Sequence, residues 1–221
     1  MLTVWEARFE QFIGDILAEN QDPAHDPDHV RRVVANARRL AAAEGADLAV
    51  VMPAAWLHDC VVVPKDSARR AHASRLAAER AGGYLREAGY PAEYIPAIEH
   101  AIAAHSFSAG IPPQTREAQV VQDADRLDAL GAIGIARTLL LGGWMGKPLY
   151  DRAEPLPYTR APDDRENIID HFYVKLLGLA ATMHTATARR EGERRTRLMR
   201  TYLEELAREI AGGEPGEWEA A

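Results

Sequence analysis

The sequence predicts an all-α fold, a single-domain bundle of about eight to ten helices. Apolar residues recur at three- and four-residue steps along most of the chain, which is the period of an amphipathic helix. No segment shows the period-two alternation of a strand flanked by hairpin turns. With 221 residues, 47% of them hydrophobic, the chain is long enough to bury its own core. We expect one domain over residues 1–211, with a core at about 26–140, C-terminal helices at about 166–211 and a flexible tail at 212–221.

The first two helices are defined by their apolar faces and by the residues at their ends. Residues 2–19 carry an apolar stripe and end in a polar turn. Asp26 and Pro27 have the residue types of an N-cap and a first helical turn, so we expect the second helix to continue from there to Gly45. His29 is therefore expected in the first turn of this helix, near the positive end of its dipole.

The third helix is predicted to be the buried centre of the bundle. Residues 48–59 are apolar nearly all round, which is typical of a helix surrounded by others. His58 and Asp59 are therefore expected at the end of a core helix, just before a polar loop.

The later helices are separated by glycine and proline breakers. Residues 142–165 contain several of both and form a loop long enough to act as a lid. The 116–141 helix is expected to bend around Gly131 and Gly134. The predicted later helices cover residues 68–88, 91–105, 116–141, 167–187 and 189–211.

Composition favours a cytoplasmic protein that meets its substrate through a few local charges. Cys60 is the only cysteine, so no intrachain disulfide can form. The N-terminus lacks the pattern of a secretory leader, and the longest apolar run is about half the roughly 20 residues of a membrane helix. The 26 basic and 33 acidic residues are interspersed and sum to −7. We therefore expect neither a membrane nor a nucleic-acid duplex as a partner.

Histidines lie close to aspartates in the sequence, and these groups fall on separate predicted helices. This pattern is the feature of the sequence that indicates a functional site. His58 and Asp59 are adjacent, an upstream stretch ends in His29, and a downstream acidic cluster spans residues 123–128. An isolated His-Asp pair occurs often by chance. Three such elements on different helices can converge inside a bundle, however, and imidazole with carboxylate is a common ligand combination for a divalent metal.

In this order, His … His-Asp … Asp, the sequence resembles the HD-domain metal-dependent phosphohydrolases. The resemblance covers residues 26 to about 137 and is greatest to the small bacterial branch associated with nucleotide pyrophosphohydrolase activity. Four short motifs carry it: His29-Val30-Arg31-Arg32-Val33, Trp56-Leu57-His58-Asp59, Ala104-His105-Ser106-Phe107-Ser108, and Asp123-Ala124-Asp125-Arg126-Leu127-Asp128-Ala129-Leu130-Gly131-Ala132. The implied fold is an HD-type helical bundle.

Matched residue by residue, the resemblance implies one divalent metal held by His29, His58, Asp59 and Asp125. Two imidazoles and two carboxylates suit Mn²⁺ or Mg²⁺, with Fe²⁺, Co²⁺, Ni²⁺ and Zn²⁺ left open. Such a metal would polarise a phosphoryl oxygen and activate a water molecule for in-line attack.

Two departures from related branches narrow the activity. Alarmone hydrolases carry a Glu-Asp pair shortly after the His-Asp pair, whereas this chain has Cys60 followed by three valines. HD-type cyclic-dinucleotide phosphodiesterases carry a glycine and a lysine there, with ligands for a second metal. This chain lacks the Glu-Asp pair, and it also lacks the glycine and the lysine just after His58-Asp59. We therefore expect neither alarmone hydrolysis nor cyclic-dinucleotide hydrolysis, and we expect a single metal.

Further roles follow from the resemblance and from position. The predicted catalytic residues are Asp59, His105 and Asp128, with Asp128 orienting a ligand or the attacking water from the helix face of Asp125. The predicted substrate contacts are His25, Lys65 and Arg69, and Lys147 is a weaker candidate for a phosphate contact.

Several other residues have plain structural interpretations. Cys60 is expected to be a small core residue, and His100 to be structural. His72, His171 and His184 are expected to be surface or packing residues. Asp123 is expected either to cap a helix or to face solvent.

The expected function is metal-dependent hydrolysis of a small phosphorylated metabolite, a nucleotide. The leading substrate is a nucleoside or deoxynucleoside triphosphate, cleaved to the monophosphate and pyrophosphate. The alternatives are a 5′-nucleotidase-like phosphomonoesterase and a non-catalytic binding module stabilised by the metal. A homodimer is left open by the sequence.

Overall fold

The structure, a computed structural model, describes residues 2–18, 26–61, 63, 72–106 and 109–212. This part of the chain forms nine α-helices and no strand, which confirms the all-α prediction. The helices are Leu2–Leu17 (α1), Pro27–Glu44 (α2), Leu48–Leu57 (α3), Ala73–Ala88 (α4), Ile95–His105 (α5), Arg116–Asp128 (α6), Gly131–Trp144 (α7), Leu177–Leu179 (α8) and Ala186–Ile210 (α9).

The chain forms two compact units. The first comprises Met1–Asp128 with Met183–Arg190, and the second comprises Ala129–Thr182 with Glu191–Ala221. The predicted bounds of a single domain remain a prediction. The predicted flexible tail lies outside the described residues beyond Gly212.

Helix α3 is the centre of the first unit. It contacts α1, α2, α5 and α6, and every residue from Val50 to Leu57 is buried. Because it is enclosed on all sides, it has no polar face, as its sequence predicts. His58 follows directly as the C-cap residue, so the His-Asp pair does lie at the end of the core helix.

The ends of α2 agree with the sequence prediction. The Asp26 side chain accepts a hydrogen bond of 2.6 Å from the backbone N–H of His29, and Pro27 is the first helical residue. Gly45 ends the helix in the left-handed conformation, with φ of 69°, which glycine adopts without steric cost. The cap thus holds the His29 backbone in the first turn of the helix.

The single helix predicted over residues 116–141 is in fact two helices. Helix α6 ends at Asp128, and α7 begins at Gly131, whose φ of 73° cannot continue an α-helix. The break falls at Gly131, where a bend was expected, and it places Asp125 and Asp128 in the last turn of α6. Among the described residues, no single helix is both long and apolar enough to cross a membrane. Helices α6 and α7 reach the required length and hydropathy only when taken together, and the chain is not helical between them.

The predicted helix over residues 167–187 is right only over Phe172–Thr182, where the helical turns are of mixed type. The chain there forms a π-helix over Phe172–Leu176, the short α8, and a 3₁₀ turn over Ala180–Thr182. A 3₁₀ turn, Ala92–Tyr94, likewise precedes α5. An apolar period of three to four residues does not distinguish α, 3₁₀ and π backbones, because their turns differ by less than one residue in either direction.

A buried ion pair anchors the second unit. Asp170 is 0% exposed and accepts hydrogen bonds from both terminal nitrogens of Arg160 and from the backbone N–H of Asp163. Burial alone would raise the pKa of Asp170, but these hydrogen bonds outweigh it and hold the pKa below its ordinary value. The segment after α7 is therefore fixed to the segment that follows residue 167.

Candidate metal centre

Four side chains, one from α2, two from the end of α3 and one from α6, converge in the first unit. His29, His58 and Asp125 each offer one ligand atom, and these atoms all lie within 4.8 Å of one another. The Nε2 atom of His29 is 3.5 Å from Asp125 Oδ1. Asp59 completes the group, because its Oδ2 is 3.6 Å from Nε2 of His29 and 3.4 Å from Nε2 of His58. Ligands at about 2.1 Å from one ion are about 3–4 Å apart, so these spacings fit a shared cation.

Each histidine has its Nδ1 atom engaged outside the cluster. The Nδ1–H of His29 donates to Asp128 Oδ2 over 2.7 Å, and that of His58 donates to the carbonyl of Ala55 over 2.9 Å. When the imidazole is neutral, its Nε2 atom therefore carries a lone pair directed into the cluster. The buried Nε2 of His58 has no hydrogen-bond partner within the described residues. A divalent cation is the partner that the donor set fits.

Electrostatics in the cluster also favour a cation. Burial opposes protonation of His58, but the carboxylates of Asp59 and Asp125 outweigh it and raise the pKa of His58 to about 9. Burial would likewise raise the pKa of Asp125, yet the three neighbouring histidines lower it. The carboxylates thus attract positive charge, which a metal would supply in place of a proton.

A buried carboxylate behind His29 orients its ring. Asp128 is 1% exposed, and Arg32 binds it with two hydrogen bonds, Nε to Oδ1 over 2.7 Å and Nη2 to Oδ2 over 3.1 Å. The structure thus places Asp128 against the nitrogen of His29 that points away from the cluster, as expected of a residue that orients a ligand. Sequence reasoning missed Arg32, although its position three residues after His29 in one helix is the signal that could have found it.

His105 borders the cluster at the end of α5. Its Nδ1–H donates to the carbonyl of Ile102 over 2.7 Å, and its Nε2 lies 3.7 Å from Asp59 Oδ1. Burial and the neighbouring charge of His58 lower the pKa of His105. The structure therefore brings this predicted catalytic residue beside the predicted ligands.

The other predicted contacts lie either outside the described residues or in the second unit. His25, Lys65 and Arg69 lie outside the described residues. Lys147 belongs to the second unit, where its Nζ donates to the backbone carbonyl of Asp164 over 2.7 Å. Cys60 is buried, with its thiol 3.3 Å from the carbonyl oxygen of Ala77, which agrees with a packing role.

Asp123 is buried and holds the segment that leads into α9. It is 0% exposed and accepts hydrogen bonds from the backbone N–H groups of His184 and Thr185 and from the Thr185 hydroxyl. The expected solvent exposure is therefore wrong. Asp123 binds the N–H groups just before α9, and the group that caps this helix is the Thr185 hydroxyl, which accepts from the backbone N–H of Ala188. His100 accepts a hydrogen bond from the backbone N–H of Gln114, a structural role as expected.

Comparison with known proteins agrees with this geometry. The HD domain family model matches residues 28–130. YpgQ of Bacillus subtilis, an uncharacterized protein, is 33% identical over 205 residues, which cover 91% of each chain. The crystal structure of YpgQ in complex with ADP is 31% identical, has a TM-score of 0.73 and covers 96% of this chain and 98% of that one. An HD-superfamily hydrolase from Bacillus thuringiensis is 32% identical, has a TM-score of 0.73 and covers 100% of both chains.

The chain therefore belongs to the HD family and is an HD-type metal-dependent phosphohydrolase. Within that family, its likeness to YpgQ supports the small bacterial branch.

Proposed function

We propose that the protein hydrolyses a (deoxy)nucleoside triphosphate to the monophosphate and pyrophosphate. The main support for a phosphohydrolase site is that four side chains converge around one point: His29, His58, Asp59 and Asp125. The choice of a nucleotide is supported by the resemblance to nucleotide pyrophosphohydrolases and by the complex of YpgQ with ADP.

These four residues would hold one divalent metal, with Mn²⁺ or Mg²⁺ preferred. When bound, the metal supplies Lewis acidity toward a phosphoryl oxygen and makes a water molecule more acidic near neutral pH. The two carboxylates balance the two positive charges of a divalent cation and the two imidazoles are neutral, so the set suits such hard or borderline ions.

Asp59 and His105 are the proposed proton-handling groups. Oδ2 of Asp59 faces the two ligand histidines, whereas Oδ1 faces His105 at 3.7 Å. Oδ1 is therefore the oxygen that can accept a hydrogen bond from the attacking water and hold it in line. His105 would donate a proton or a hydrogen bond to a phosphate oxygen. Asp128, tied to Arg32, keeps His29 in the ligand tautomer.

In the proposed reaction the water oxygen forms a bond to the α-phosphorus, and the bond from that phosphorus to the bridging oxygen breaks. The pair of electrons leaves with pyrophosphate, and the water proton passes to Asp59 or to solvent. His25, Lys65 and Arg69 remain proposed contacts to the phosphate chain, on the strength of their sequence positions alone.

The test incubates metal-free protein with nucleoside mono-, di- and triphosphates, with and without Mn²⁺ or Mg²⁺, and reads the products by ³¹P NMR. Metal-dependent pyrophosphate release from triphosphates is the expected result. In H₂¹⁸O the label should enter the monophosphate, since attack is at the α-phosphorus. Release of orthophosphate from monophosphates would instead establish the phosphomonoesterase activity. If the protein binds the metal but hydrolyses none of these nucleotides, the result would favour the non-catalytic binding module.

A matched pair of variants separates the site from the fold. Asp59→Asn should abolish turnover while the circular dichroism of the helices is unchanged. Asp28→Asn is the control, because Asp28 is 71% exposed and pairs with Arg31 on the surface. Full activity in Asp59→Asn would contradict the proposed site.

A further inference from the structure

The second unit contains a histidine that a carboxylate orients, independent of the metal cluster. The Nδ1–H of His171 donates to Asp164 Oδ2 over 2.8 Å, and the side chain is 33% exposed. Among the described residues, Nε2 of His171 makes no hydrogen bond. The ring is thus held at one nitrogen and presents the other to an incoming group, the arrangement that His29 and Asp128 also show.

Two lysines act on this ring through their charge. The chain has only three lysines, at positions 65, 147 and 175. Lys147 donates to the backbone carbonyl of Asp164, the residue that holds His171. Lys175 lies four residues after His171, which is about one helical turn. Burial lowers the pKa of His171, Asp164 opposes this, and both lysines lower it further. Their charges therefore act on the imidazole.

The backbone holds these groups in place. His171 immediately precedes the π-helix Phe172–Leu176, a form that is rare and frequent at functional sites. Phe172 and Leu176 are buried beneath it. The segment that carries Lys147 is hydrogen-bonded to the same region, since the backbone N–H of Ile168 donates to the carbonyl of Pro148 over 3.1 Å.

We propose that His171, Lys147 and Lys175 form a phosphate-binding site in the second unit. Asp164 is the carboxylate that contacts the ring, and two ammonium groups act on the same ring. Nε2 accepts a hydrogen bond from a protonated phosphate oxygen, or donates one once a phosphate dianion has stabilised a proton on the ring. The ligand class is a phosphate monoester or anhydride, supplied either by a nucleotide or as free inorganic phosphate or pyrophosphate.

This site can be tested without any turnover, so its failure would not affect the proposed reaction. Metal-free full-length protein labelled with ¹⁵N on its histidines is titrated with pyrophosphate, and long-range ¹H–¹⁵N spectra follow each imidazole. His171→Gln identifies the resonance by its loss. We expect a saturable shift of the His171 nitrogens toward the imidazolium pattern.

The lysine variants decide whether the site is built as proposed. Loss of one charged hydrogen-bond donor should weaken pyrophosphate binding about tenfold in Lys175→Gln and in Lys147→Gln. The exposed side chain of Lys175 makes its replacement safe for folding. Arg197→Gln, which removes an exposed charge from α9 in the same unit, should leave the affinity unchanged. An unmoved His171 resonance, or equal affinity in parent and both lysine variants, would overturn the proposal.

Parallel titrations identify the source of the phosphate. Binding of ADP at least about tenfold tighter than pyrophosphate would assign the site to a nucleotide, whereas equal affinity would assign it to a free anion. Both results support a phosphate site. A shift caused by adenosine alone, which has no phosphate, would refute it.

Discussion

Replacing Asp128 with asparagine tests how a carboxylate outside the ligand set controls metal binding. Asp128 is buried, with both oxygens in use: Oδ2 accepts from His29 Nδ1 over 2.7 Å, and Oδ1 accepts from Arg32 Nε over 2.7 Å. The amide of Asp128→Asn has one acceptor oxygen and one NH₂ donor. Whichever way it lies, either the imidazole or the guanidinium must face an NH₂ group.

The expected loss follows from the tautomer of His29. Without an acceptor at Nδ1, the ring either turns or moves its proton to Nε2, the atom that faces the cluster. Loss of such a partner costs about 10- to 100-fold in metal affinity, or about 1.4–2.7 kcal/mol. If the amide oxygen faces His29 instead, Arg32 keeps its Nη2 bond to that oxygen but loses its bond from Nε and its negative partner. Its positive charge then repels the bound cation, so affinity still falls.

The assay is competition between the protein and a fluorescent chelator for Mn²⁺ at constant pH, with helicity checked by circular dichroism. Asp28→Asn is the matched control, because it removes an exposed carboxylate that is adjacent in sequence to His29 but pairs with Arg31. The control should bind Mn²⁺ within about twofold of the parent, which is within the small contribution of a surface ion pair. Parent-like affinity in Asp128→Asn would refute the reasoning.

Three further predictions concern stability. Asp170→Asn should lower the free energy of unfolding by about 2–3 kcal/mol, because it breaks a buried pair with the partly exposed Arg160. Since the pKa of Asp170 is depressed, this stabilisation is present above the unfolded carboxyl pKa of about 4 and is lost as pH falls through the folded pKa. A variant that loses no stability in urea unfolding at about pH 7 would contradict this prediction. Gly142→Ala should destabilise the protein by about 1–3 kcal/mol, because a Cβ there would lie 2.4 Å from the Ile168 side chain. Gly143→Ala should stabilise it by about 0.5–1 kcal/mol, because a Cβ there would meet nothing within 4 Å. A higher melting temperature for Gly142→Ala than for Gly143→Ala would contradict the packing described around Gly142. Free Mn²⁺ at one hundred times its Kd should stabilise the protein by about 2.7 kcal/mol, so a melting temperature that is insensitive to Mn²⁺ and to chelator would argue against a site formed only in the folded state.

Much of the fold could be predicted because helix ends depend on local chemistry. Asp26 and Gly45 cap α2 through contacts within a few residues, and α3 is apolar because it is enclosed by its neighbours. The failures have a local cause too. The break after Asp128 depends on the positive φ of Gly131, and glycine also occurs within helices, as Gly134 does. The π-helix before α8 has an apolar period close to that of an α-helix.

By itself, the sequence determined the class of fold, the order of the His, His-Asp and Asp motifs, and thereby the residues that the structure brings together as candidate ligands. Only the tertiary structure decided how those residues are held. The bonds from Asp128 to His29 and to Arg32 join residues 99 and 96 positions apart, and the Lys147 and His171 contacts with Asp164 join two segments of the second unit. No local pattern encodes such contacts, because they form only when packing of the helices brings distant side chains within hydrogen-bond distance.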